Sequence, residues 1–401
     1  MTNDLYDTVV VGGGPAGATA ALDLAKLGRR VLLLDRAGRI KPCGGAIPPR
    51  LLRDFEIPDS LLVAKVRGAR IVSPTDRRVV MPIEDGFVGM VDRDVFDEWL
   101  RERAARGGVE RRTGLYESLS RDGDGGVTVT YRTKDGRSET VRASVVIGAD
   151  GARSEVGRQC IPGAERVPCV FAYHEIVRSP KIGTADFQGN RCDVYYRGSL
   201  SPDFYGWVFP HGDTTSIGTG SAHKGFGLRS AVGDLRRHAG LDQVETVRRE
   251  GAPIPMQALK RWDDGRNVVL AGDAAGVVAP ASGEGIYYAM ASGRLAAEAV
   301  ETFLATGDAR ALATARKRFM KQHGRVFWVL GIMQRFWYKN DRRRERFVTM
   351  CDDADVQRLT WESYMNKELV RSHPMAHVRI FFKDLAHLFG VVAPSSPSGR
   401  D

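Results

Sequence analysis

The sequence predicts an α/β fold with an inserted, mainly β unit and a helical C-terminal region. Apolar, β-branched runs that are typical of buried parallel strands end near Val11, Leu34, Ile147 and Ala271. Shorter strand patterns separated by turn residues fill residues 170–251. Helical periodicity dominates from about residue 284 onward. The four apolar strands are therefore expected to share one sheet, into which the β unit is inserted.

The first forty residues predict a complete strand–turn–helix–strand unit. The strand Tyr6–Val11 leads into GGGPAG at Gly12–Gly17, and a helix follows at Ala18–Leu27. A second strand, Arg30–Leu34, ends at Asp35. The turn matches G-x-G-x-x-G, which in this context is the fingerprint of a Rossmann-like dinucleotide-binding domain.

Each residue type in this motif serves dinucleotide binding. Gly12 allows the tight turn, Gly14 lets the backbone approach a pyrophosphate, and Gly17 lets the helix and strand pack closely. The N–H groups at the start of the helix, together with the helix dipole, attract the phosphates. Asp35, at the end of the second strand, can accept hydrogen bonds from the ribose hydroxyls. The alternative is a glycine-rich turn that binds nothing.

The remaining elements alternate between strands and helices. The predicted strands are Arg70–Val72, Val79–Ile83, Glu110–Ser120, Val127–Arg132, Ser138–Arg142, Val145–Ile147, Val194–Tyr196, Trp207–Pro210, Ser216–Gly218 and Asn267–Ala271. The predicted helices are Leu51–Phe55, Val91–Arg106, Leu228–Ala239, Glu284–Leu304 and Ala309–Arg325. The expected domains are a discontinuous dinucleotide-binding domain (1–169 and 252–306), a β domain (170–251, with part of 65–90), a helical region (307–394) and a frayed tail (395–401).

Composition narrows the class of protein. The chain has 401 residues, of which 43% are hydrophobic, enough for two packed units. Its five cysteines form no C-x-x-C pair, which argues against a disulfide scaffold or a metal site and fits a reducing compartment. We expect no signal peptide, and the longest apolar run, Val326–Met333, is too short to span a bilayer. The net charge of +10 suits an anionic membrane or substrate or an arginine-rich surface, whereas no nucleic-acid motif accompanies it.

Three strands that are distant in sequence end in glycine-containing turns. These turns are Gly12–Gly17, GADG at Gly148–Gly151 and GDAAG at Gly272–Gly276. Ligands of open parallel sheets bind at the carboxyl ends of the strands, so the three turns can line one extended cofactor. The combination resembles the flavoprotein family typified by p-hydroxybenzoate hydroxylase, of the glutathione reductase type. The resemblance covers most of Asp7–Ala305 and implies FAD as the cofactor.

This resemblance implies a set of FAD contacts. Pyrophosphate contacts fall on Gly12, Gly14 and Gly17 and a ribose contact on Asp35, and Pro15, Ala16 and Arg36 are also implied to contact FAD. Arg93 is implied to lie near the FAD phosphates, and Asp273 to contact the ribityl chain and the pyrophosphate. Further contacts are implied for Cys43, Gly44, Asp150, Gly272, Pro280, Gly283, Gly285 and Ile286. The N–H groups of Gly285 and Ile286, at the start of a helix, can face the N1–C2=O edge of the flavin and stabilise negative charge there. The alternative is that Gly283 and Gly285 only form a tight loop.

Two further motifs resemble the geranylgeranyl reductase branch of this fold. They are PCGG at Pro42–Gly45 and YGWVFP at Tyr205–Pro210, which GTG follows at Gly218–Gly220. In that branch the aromatic motif lines an isoprenoid pocket. Residues two apart on a strand share a face, so Tyr205, Trp207 and Phe209 can together bind a polyprenyl tail. Ordinary packing in the core of a sheet is the alternative.

The resemblance implies an oxidoreductase that uses FAD and NADPH. The KPCGGAIPPRLL segment, the chain length and the helical tail most resemble the enzymes of (bacterio)chlorophyll biosynthesis. These reduce the isolated double bonds of a geranylgeranyl group, as the diphosphate or as the pigment ester, to phytyl. A hydride goes to one alkene carbon and a proton to the other. Cys43 is a candidate proton donor or gate, and a purely structural thiol is the alternative.

Three other functions stay open at this stage. One is a digeranylgeranylglycerophospholipid reductase, which shares both motifs. Another is an FAD-dependent aromatic monooxygenase or halogenase, although the W-x-W-x-I signature of halogenases is absent. The third is a non-enzymatic, FAD-bearing assembly factor. No second G-x-G-x-x-G is present for NADPH, which can instead bind transiently at the flavin face.

A substrate with a geranylgeranyl tail implies peripheral association with the cytoplasmic face of a photosynthetic membrane. Met375–Val392 carries an apolar stripe at helical spacing. Phe327–Trp337 is rich in aromatic residues, and the basic cluster Arg342–Arg346 follows it. Packing of these segments against the cofactor domain is the alternative. Pigment-synthesis enzymes are candidate partners.

Overall fold

The computed structural model describes residues 5–367, apart from 37–39, 124, 182 and 185. The strands are β1 (Leu5–Val11), β2 (Val31–Asp35), β3 (Ala46–Ile47), β4 (Ala64–Val66), β5 (Gly68–Val72), β6 (Arg78–Pro82), β7 (Val88–Met90), β8 (Glu110–Thr113), β9 (Leu115–Arg121), β10 (Val127–Arg132), β11 (Ser138–Gly148), β12 (Cys169–Arg178), β13 (Cys192–Tyr195), β14 (Gly206–His211), β15 (Thr214–Ser221), β16 (Thr246–Pro255) and β17 (Val268–Leu270). The α-helices are α1 (Pro15–Lys26), α2 (Pro49–Asp54), α3 (Arg93–Arg106), α4 (Glu155–Cys160), α5 (Leu228–His238), α6 (Ile286–Thr306), α7 (Thr314–Trp337), α8 (Asp341–Met350) and α9 (Ala354–Asn366).

The first sheet has the order β8-β2-β1-β11-β10-β9, with β17 also paired to β11. Strands β8, β2, β1, β11 and β17 run parallel. Val11 lies opposite both Leu34 and Gly148, and Gly148 lies opposite Leu270. The carboxyl ends of these strands therefore meet at one edge, as the sequence predicted. The predicted α/β fold is confirmed.

Strand β11 corrects one element of the prediction. Ser138–Arg142 and Val145–Ile147 were expected to form separate strands, but they are one continuous strand. Its first half pairs antiparallel with β10 and alternates between exposed and buried residues, whereas its last four residues are all buried between parallel neighbours. The change of pattern within one strand reflects this change of surroundings.

The second sheet has the order β16-β12-β15-β14-β13-β5-β6 and is antiparallel except for the β13–β5 pair. Strands β5 and β6 precede most of the first sheet's strands in sequence, yet they form one end of this second sheet. A small third sheet, β3-β7-β4, lies within the same early segment. The chain thus contributes to the second sheet in two separate passages.

The C-terminal region is helical as far as it is described. The predicted helix Ala309–Arg325 is instead a 3₁₀ turn, Ala309–Ala313, followed by α7, which continues to Trp337. Met375–Val392 and the tail 395–401 lie outside the described residues. Within residues 5–367, no helix is both long enough and apolar enough to cross a membrane.

Helices α1 and α6 pack at close range, and this contact positions the functional site. A Cβ at Gly293 on α6 would lie 2.2 Å from the carbonyl oxygen of Ala16 on α1. A Cβ at Gly272 would lie 2.7 Å from the Cβ of Ala16. The turn after β17 is therefore adjacent to the start of α1, although more than 250 residues separate them in sequence.

Candidate cofactor and substrate site

The glycine turn between β1 and α1 has the geometry of a phosphate cradle. Gly12 has a φ of +105°, a left-handed conformation that favours glycine. A Cβ at Gly17 would lie 1.9 Å from the carbonyl oxygen of Gly12, so helix and strand approach too closely for any side chain there. A Cβ at Gly14 would meet no protein atom within 4 Å. The space beside Gly14 is open to a ligand.

The start of α1 supports the same interpretation. Gly14 is its N-cap residue and provides no side-chain cap, and Pro15 occupies the first turn. The helix dipole and uncapped N–H groups favour an anion at this point. The open space beside Gly14 and the uncapped helix start fit the pyrophosphate of FAD.

Asp35 ends β2 beside the glycine turn, as predicted. Its Oδ2 lies 3.4 Å from Arg101 Nη1, and the same guanidinium donates to the carbonyl oxygen of Gly13 at 3.2 Å. Burial raises the pKa of Asp35, while a backbone hydrogen bond from Gly13 and the charge of Arg101 oppose the rise. Arg36 follows directly and is exposed. Arg101 had not been predicted, because only the fold brings α3 to this turn.

Asp150 lies at the carboxyl end of β11, and its carboxylate binds its own loop. It accepts hydrogen bonds from Ser154 Oγ at 2.5 Å, from the Glu155 N–H at 2.7 Å and from the Val156 N–H at 3.2 Å. Two of these donors belong to the first turn of α4. Asp150 therefore holds the loop at the sheet edge, and a contact with FAD remains a prediction.

Asp273 lies in the turn after β17, where the resemblance implied a contact with the ribityl chain. Its side chain is largely buried and forms an ion pair with Lys41. Gly272, with a φ of +63°, brings this turn against the start of α1. Lys41 had not been predicted, although it directly precedes the PCGG motif.

A cavity of about 330 Å³ extends from the start of α1 and the turn after β17 to strands of the second sheet. Its size and mainly apolar wall are typical of a small-molecule site. Among the predicted site residues, the cavity brings together Pro15, Cys43, Gly44, Arg93, Tyr205, Trp207, Phe209, Asp273, Gly283, Gly285 and Ile286. The other predicted residues are not among those that line it, namely Gly12, Gly14, Ala16, Gly17, Asp35, Arg36, Asp150, Gly272 and Pro280.

The aromatic residues of the YGWVFP motif form one wall of the cavity. Tyr205 immediately precedes β14, and its hydroxyl donates to the carbonyl oxygen of Ser282 at 2.5 Å. The rings of Tyr205 and Trp207 are 6.1 Å apart, and those of Trp207 and Phe209 are 6.4 Å apart. The strand thus presents three aromatic side chains to the same space, as its alternation predicted.

A buried polar network fixes the orientation of Trp207. The indole N–H donates to Ser216 Oγ at 3.1 Å, and Ser216 Oγ lies 2.9 Å from His174 Nδ1. The other ring nitrogen of His174 lies 2.9 Å from Glu250 Oε2. These residues come from β14, β15, β12 and β16, and no local sequence pattern indicates that they interact.

Cys43 lies beside a buried ion pair on the cofactor side of the cavity. Arg93 Nε and Nη2 bind the two carboxylate oxygens of Asp97 at 2.8 and 2.7 Å. Burial alone would lower the pKa of Arg93, but Asp97 and the adjacent Cys43 thiol raise it above its usual value. Arg93 is therefore a buried cation that is paired with Asp97 next to Cys43, and its contact with the FAD phosphates remains a prediction.

The loop before α6 places a carboxyl group at the cavity. Pro280 is buried in this loop, where its carbonyl oxygen accepts from the Ser282 N–H at 2.7 Å. Gly285 is the N-cap of α6, and no side chain caps that helix. Glu284 lines the cavity and forms a buried ion pair with Lys367.

Helix α9 completes the wall of the cavity. It contributes Thr360, Trp361 and Tyr364, and the nearby strands contribute Val66, Val88 and Val194. None of these residues belongs to a motif, and only the spacing of Trp361 and Tyr364, three residues apart on a helix, shows in the sequence that they share a face. The sequence patterns therefore do not predict this part of the cavity wall.

Comparisons with known proteins agree with this arrangement. Residues 5–168 match the family model described as an FAD binding domain, and residues 222–382 match the one described as lycopene cyclase protein. The chain is 58% identical over 390 residues to geranylgeranyl diphosphate reductase of Rhodobacter capsulatus, covering 97% of this chain and 99% of the relative. It is 35% identical to geranylgeranyl diphosphate reductase of Synechocystis, covering 94% and 97%. A geranylgeranyl bacteriochlorophyll reductase-like protein from Thermoplasma acidophilum has a similar structure, with a TM-score of 0.80 at 24% identity, covering 93% and 99%.

Proposed function

The chain belongs to the geranylgeranyl diphosphate reductase family, and from this premise we propose that it reduces the isolated double bonds of a geranylgeranyl group to phytyl in (bacterio)chlorophyll biosynthesis. The substrate is geranylgeranyl diphosphate or a geranylgeranylated (bacterio)chlorophyll. The observation that supports this reaction best is the apolar, aromatic cavity that begins at Asp273 and Gly285 and ends at α9. An uncharged polyprenyl chain needs such a wall, because it offers nothing for a charged residue to bind.

The residues around the glycine turns would hold FAD. Gly14 and the start of α1 would bind the pyrophosphate, Asp35 the ribose, and Asp273 the ribityl chain. The N–H groups at the start of α6 would face the flavin and stabilise negative charge there. When bound, FAD supplies two-electron hydride chemistry. Because Lys41 is the partner of Asp273 in this structure, Lys41 would give up or share that carboxylate on binding.

The aromatic wall would position the tail and exclude water. Tyr205, Trp207 and Phe209 would pack along the isoprene units, and the His174–Ser216 network would keep the indole in one orientation. We propose NADPH as the reductant, reaching the flavin face transiently. The proposed location is the cytoplasmic face of the photosynthetic membrane, where a tail esterified to a pigment resides.

Product analysis tests the proposed function. Purified protein with FAD and NADPH is incubated with geranylgeranyl diphosphate, geranylgeranylated bacteriochlorophyll or digeranylgeranyl glycerophospholipid, and the products are examined by mass spectrometry. We expect hydrogen to be added to one of the first two substrates. Incorporated oxygen would indicate a monooxygenase, and preference for the lipid would indicate the archaeal-type reaction. Unchanged phytyl pigments in a deletion strain would contradict the proposal.

Substitution of Cys43 is expected to slow alkene reduction more than it slows flavin reduction. Cys43 lines the cavity between the flavin side and the aromatic wall, where it can contact the reacting double bond. We expect Cys43→Ser to slow alkene reduction severalfold and to leave flavin reduction by NADPH near the wild-type rate. Stopped-flow measurement of the two half-reactions separates these effects.

The buried Cys351 provides a matched control for Cys43. It is a second thiol in the described part of the chain, but it does not line the cavity. Cys351→Ser should leave the rates of both half-reactions near their wild-type values, apart from any loss of folded protein. Equal rates for both half-reactions in Cys43→Ser and the wild type would reject a chemical role for Cys43.

An exposed stripe on α7 is the described candidate for membrane contact. Trp328 is 69% exposed and Ile332 is 47% exposed, one turn apart on the same face. Lys321, Arg325 and Arg335 are exposed at matching helical spacing. Aromatic and aliphatic side chains flanked by basic residues suit an anionic lipid interface.

We expect the full chain to float with anionic liposomes at low salt and to dissociate as salt rises, because the attraction is partly electrostatic. Replacing both Trp328 and Ile332 by Ser should reduce flotation severalfold. The control is Val95→Ser, which removes a comparably exposed apolar side chain from α3. A chain that ends at Ser372 tests the contribution of Met375–Val392. Full-length protein that stays soluble at low salt would contradict membrane association.

A further inference from the structure

Glu284 and Lys367 form a buried ion pair that joins the flavin side of the cavity to the C-terminal helices. Their side chains are 8% and 2% exposed. Lys367 is the C-cap residue that follows α9, and its ammonium group also lies 3.7 Å from the ring centroid of Tyr364. Glu284 directly precedes Gly285, the N-cap of α6. Lys367, which binds this carboxyl group, is therefore more than 80 residues away from it in the sequence.

One oxygen of this carboxyl is buried without a partner. Lys367 binds Oε2, whereas Oε1 has no hydrogen-bond partner among the residues that the structure describes. Burying an acceptor unpaired is costly, so such atoms usually have a functional explanation. Glu284 lines the cavity in which the alkene would lie. The unpaired oxygen therefore belongs to a residue of the cavity wall, although the oxygen itself is buried.

The surroundings of Glu284 are those of a buried acid. Burial raises its pKa, and the charge of Lys367 opposes the rise. Burial also raises the pKa of the phenols of Tyr205, Tyr288 and Tyr364, and the nearby Glu284 carboxyl adds to each rise. Besides Lys367, the titratable and charged groups that face Glu284 or its partner are Arg50, Tyr205, Tyr288 and Tyr364.

We propose that Glu284 is the proton donor for alkene reduction, with Lys367 as its positioning residue. This inference rests on the proposed function. The proton on Glu284 passes to one alkene carbon, and the π electron pair forms the new C–H bond. The other carbon needs a hydride, which FAD, when bound and reduced, would supply together with its two electrons. Glu284 is left as a carboxylate beside the Lys367 ammonium group and regains a proton from solvent before the next cycle.

Lys367 makes this carboxyl a better donor. An isolated buried carboxylate is strongly disfavoured, so a neighbouring ammonium stabilises the form that remains after transfer. Protonation of an isolated alkene needs such help, because the double bond has no carbonyl group to polarise.

The oxidative half-reaction tests the proposal. Protein reduced chemically without oxygen is mixed with geranylgeranyl diphosphate, and the return of the oxidised flavin spectrum is followed. Removing a general acid typically costs about 10²- to 10⁴-fold in rate, and we expect Glu284→Gln to lie in this range. Glu284→Asp should restore part of the rate. In the wild type the rate should fall as pH rises and Glu284 loses its proton, and Glu284→Gln should abolish this dependence.

Glu301 provides the matched control on the same helix. It lies at the other end of α6, where it pairs with Arg29 near the surface. Glu301→Gln should therefore keep the wild-type rate and pH dependence. A wild-type rate in Glu284→Gln, or a larger loss in Cys43→Ser than in Glu284→Gln, would overturn the proposal.

Infrared spectroscopy of the substrate-free protein gives a second readout that does not depend on turnover. We expect a carbonyl band of a protonated, buried carboxylic acid that disappears on raising the pH and is absent in Glu284→Gln. The same band in both proteins would overturn the assignment. Because Glu284→Gln leaves Lys367 buried without a counter-charge, its folding can suffer. A double variant with Glu284→Gln and Lys367→Met removes both charges and should fold, yet stay slow.

The wild-type control separates this inference from the proposed function. Reduced wild-type protein that neither geranylgeranyl diphosphate nor the geranylgeranylated pigment reoxidises would overturn the proposed function. Reoxidation at equal rates in the wild type and the double variant would overturn only the role of Glu284.

Discussion

Replacement of Gly14 by Val is expected to yield folded protein without FAD. The backbone at Gly14 has a φ of −74° and a ψ of −176°, which valine can adopt, and a Cβ there meets no protein atom within 4 Å. The added methyl groups would instead fill the space assigned to the pyrophosphate. We expect affinity for FAD to fall at least about 100-fold, or about 2.7 kcal/mol. The ratio of flavin to protein absorbance measures it.

Two other glycines show whether the loss is specific. A Cβ at Gly233 on α5 also meets no atom within 4 Å, so Gly233→Val should keep its flavin. Gly17→Ala should instead destabilise the fold, because its Cβ would clash with the Gly12 carbonyl. A full flavin spectrum in Gly14→Val would show that the cradle has been assigned wrongly.

Replacement of Trp207 by Ala is expected to impair turnover and to leave FAD bound. The indole is 94% buried, against the cavity on one side and Ser216 on the other. Loss of its apolar contact with a prenyl tail removes about 1.5–3 kcal/mol. This corresponds to a decrease of about 10- to 150-fold in kcat/KM for geranylgeranyl substrates. Steady-state assays and the flavin content of the purified protein test both parts.

Trp99 on α3 is the control for Trp207. It packs against Arg103 and does not line the cavity. Trp99→Ala should lower thermal stability without changing kcat/KM, and Trp207→Phe should keep most of the activity. If Trp207→Ala lowers only stability and leaves kinetics unchanged, then Trp207 is a core residue and does not bind the substrate.

The parts of the fold that could be predicted are those that local sequence patterns indicate. The unit from β1 to β2 was predictable because strand, glycine turn and helix follow one another within forty residues. The edge where the turns meet was predictable because parallel strands place their carboxyl ends together. The prediction of two strands in place of β11 is wrong because the neighbours of β11 change along its length. Helix α7 was ended too early, at Arg325, because Phe327–Trp337 was treated as a separate aromatic segment.

The candidate site was predictable on one side only. Motif residues such as Cys43 and Trp207 carry recognisable spacing, and the structure places both in the cavity. The pairing of Glu284 with Lys367 depends on where α9 docks, which no local pattern encodes. The same is true of His174, whose partners lie on neighbouring strands of the second sheet. Long-range contacts between residues without motifs require the fold itself.

The two passages of the chain through the second sheet have a consequence for how the protein folds. Strand β13 is bordered by β14 on one side and by β5 on the other, and β5 is contributed more than 100 residues earlier. A fragment of residues 169–255 would leave β13 with an open edge, which invites pairing with another molecule. During synthesis β5 and β6 emerge long before β13. The pairing of β5 with β13 therefore joins segments that are distant in sequence, and such long-range pairing is slow. The second sheet can therefore be completed only after β13 has been made.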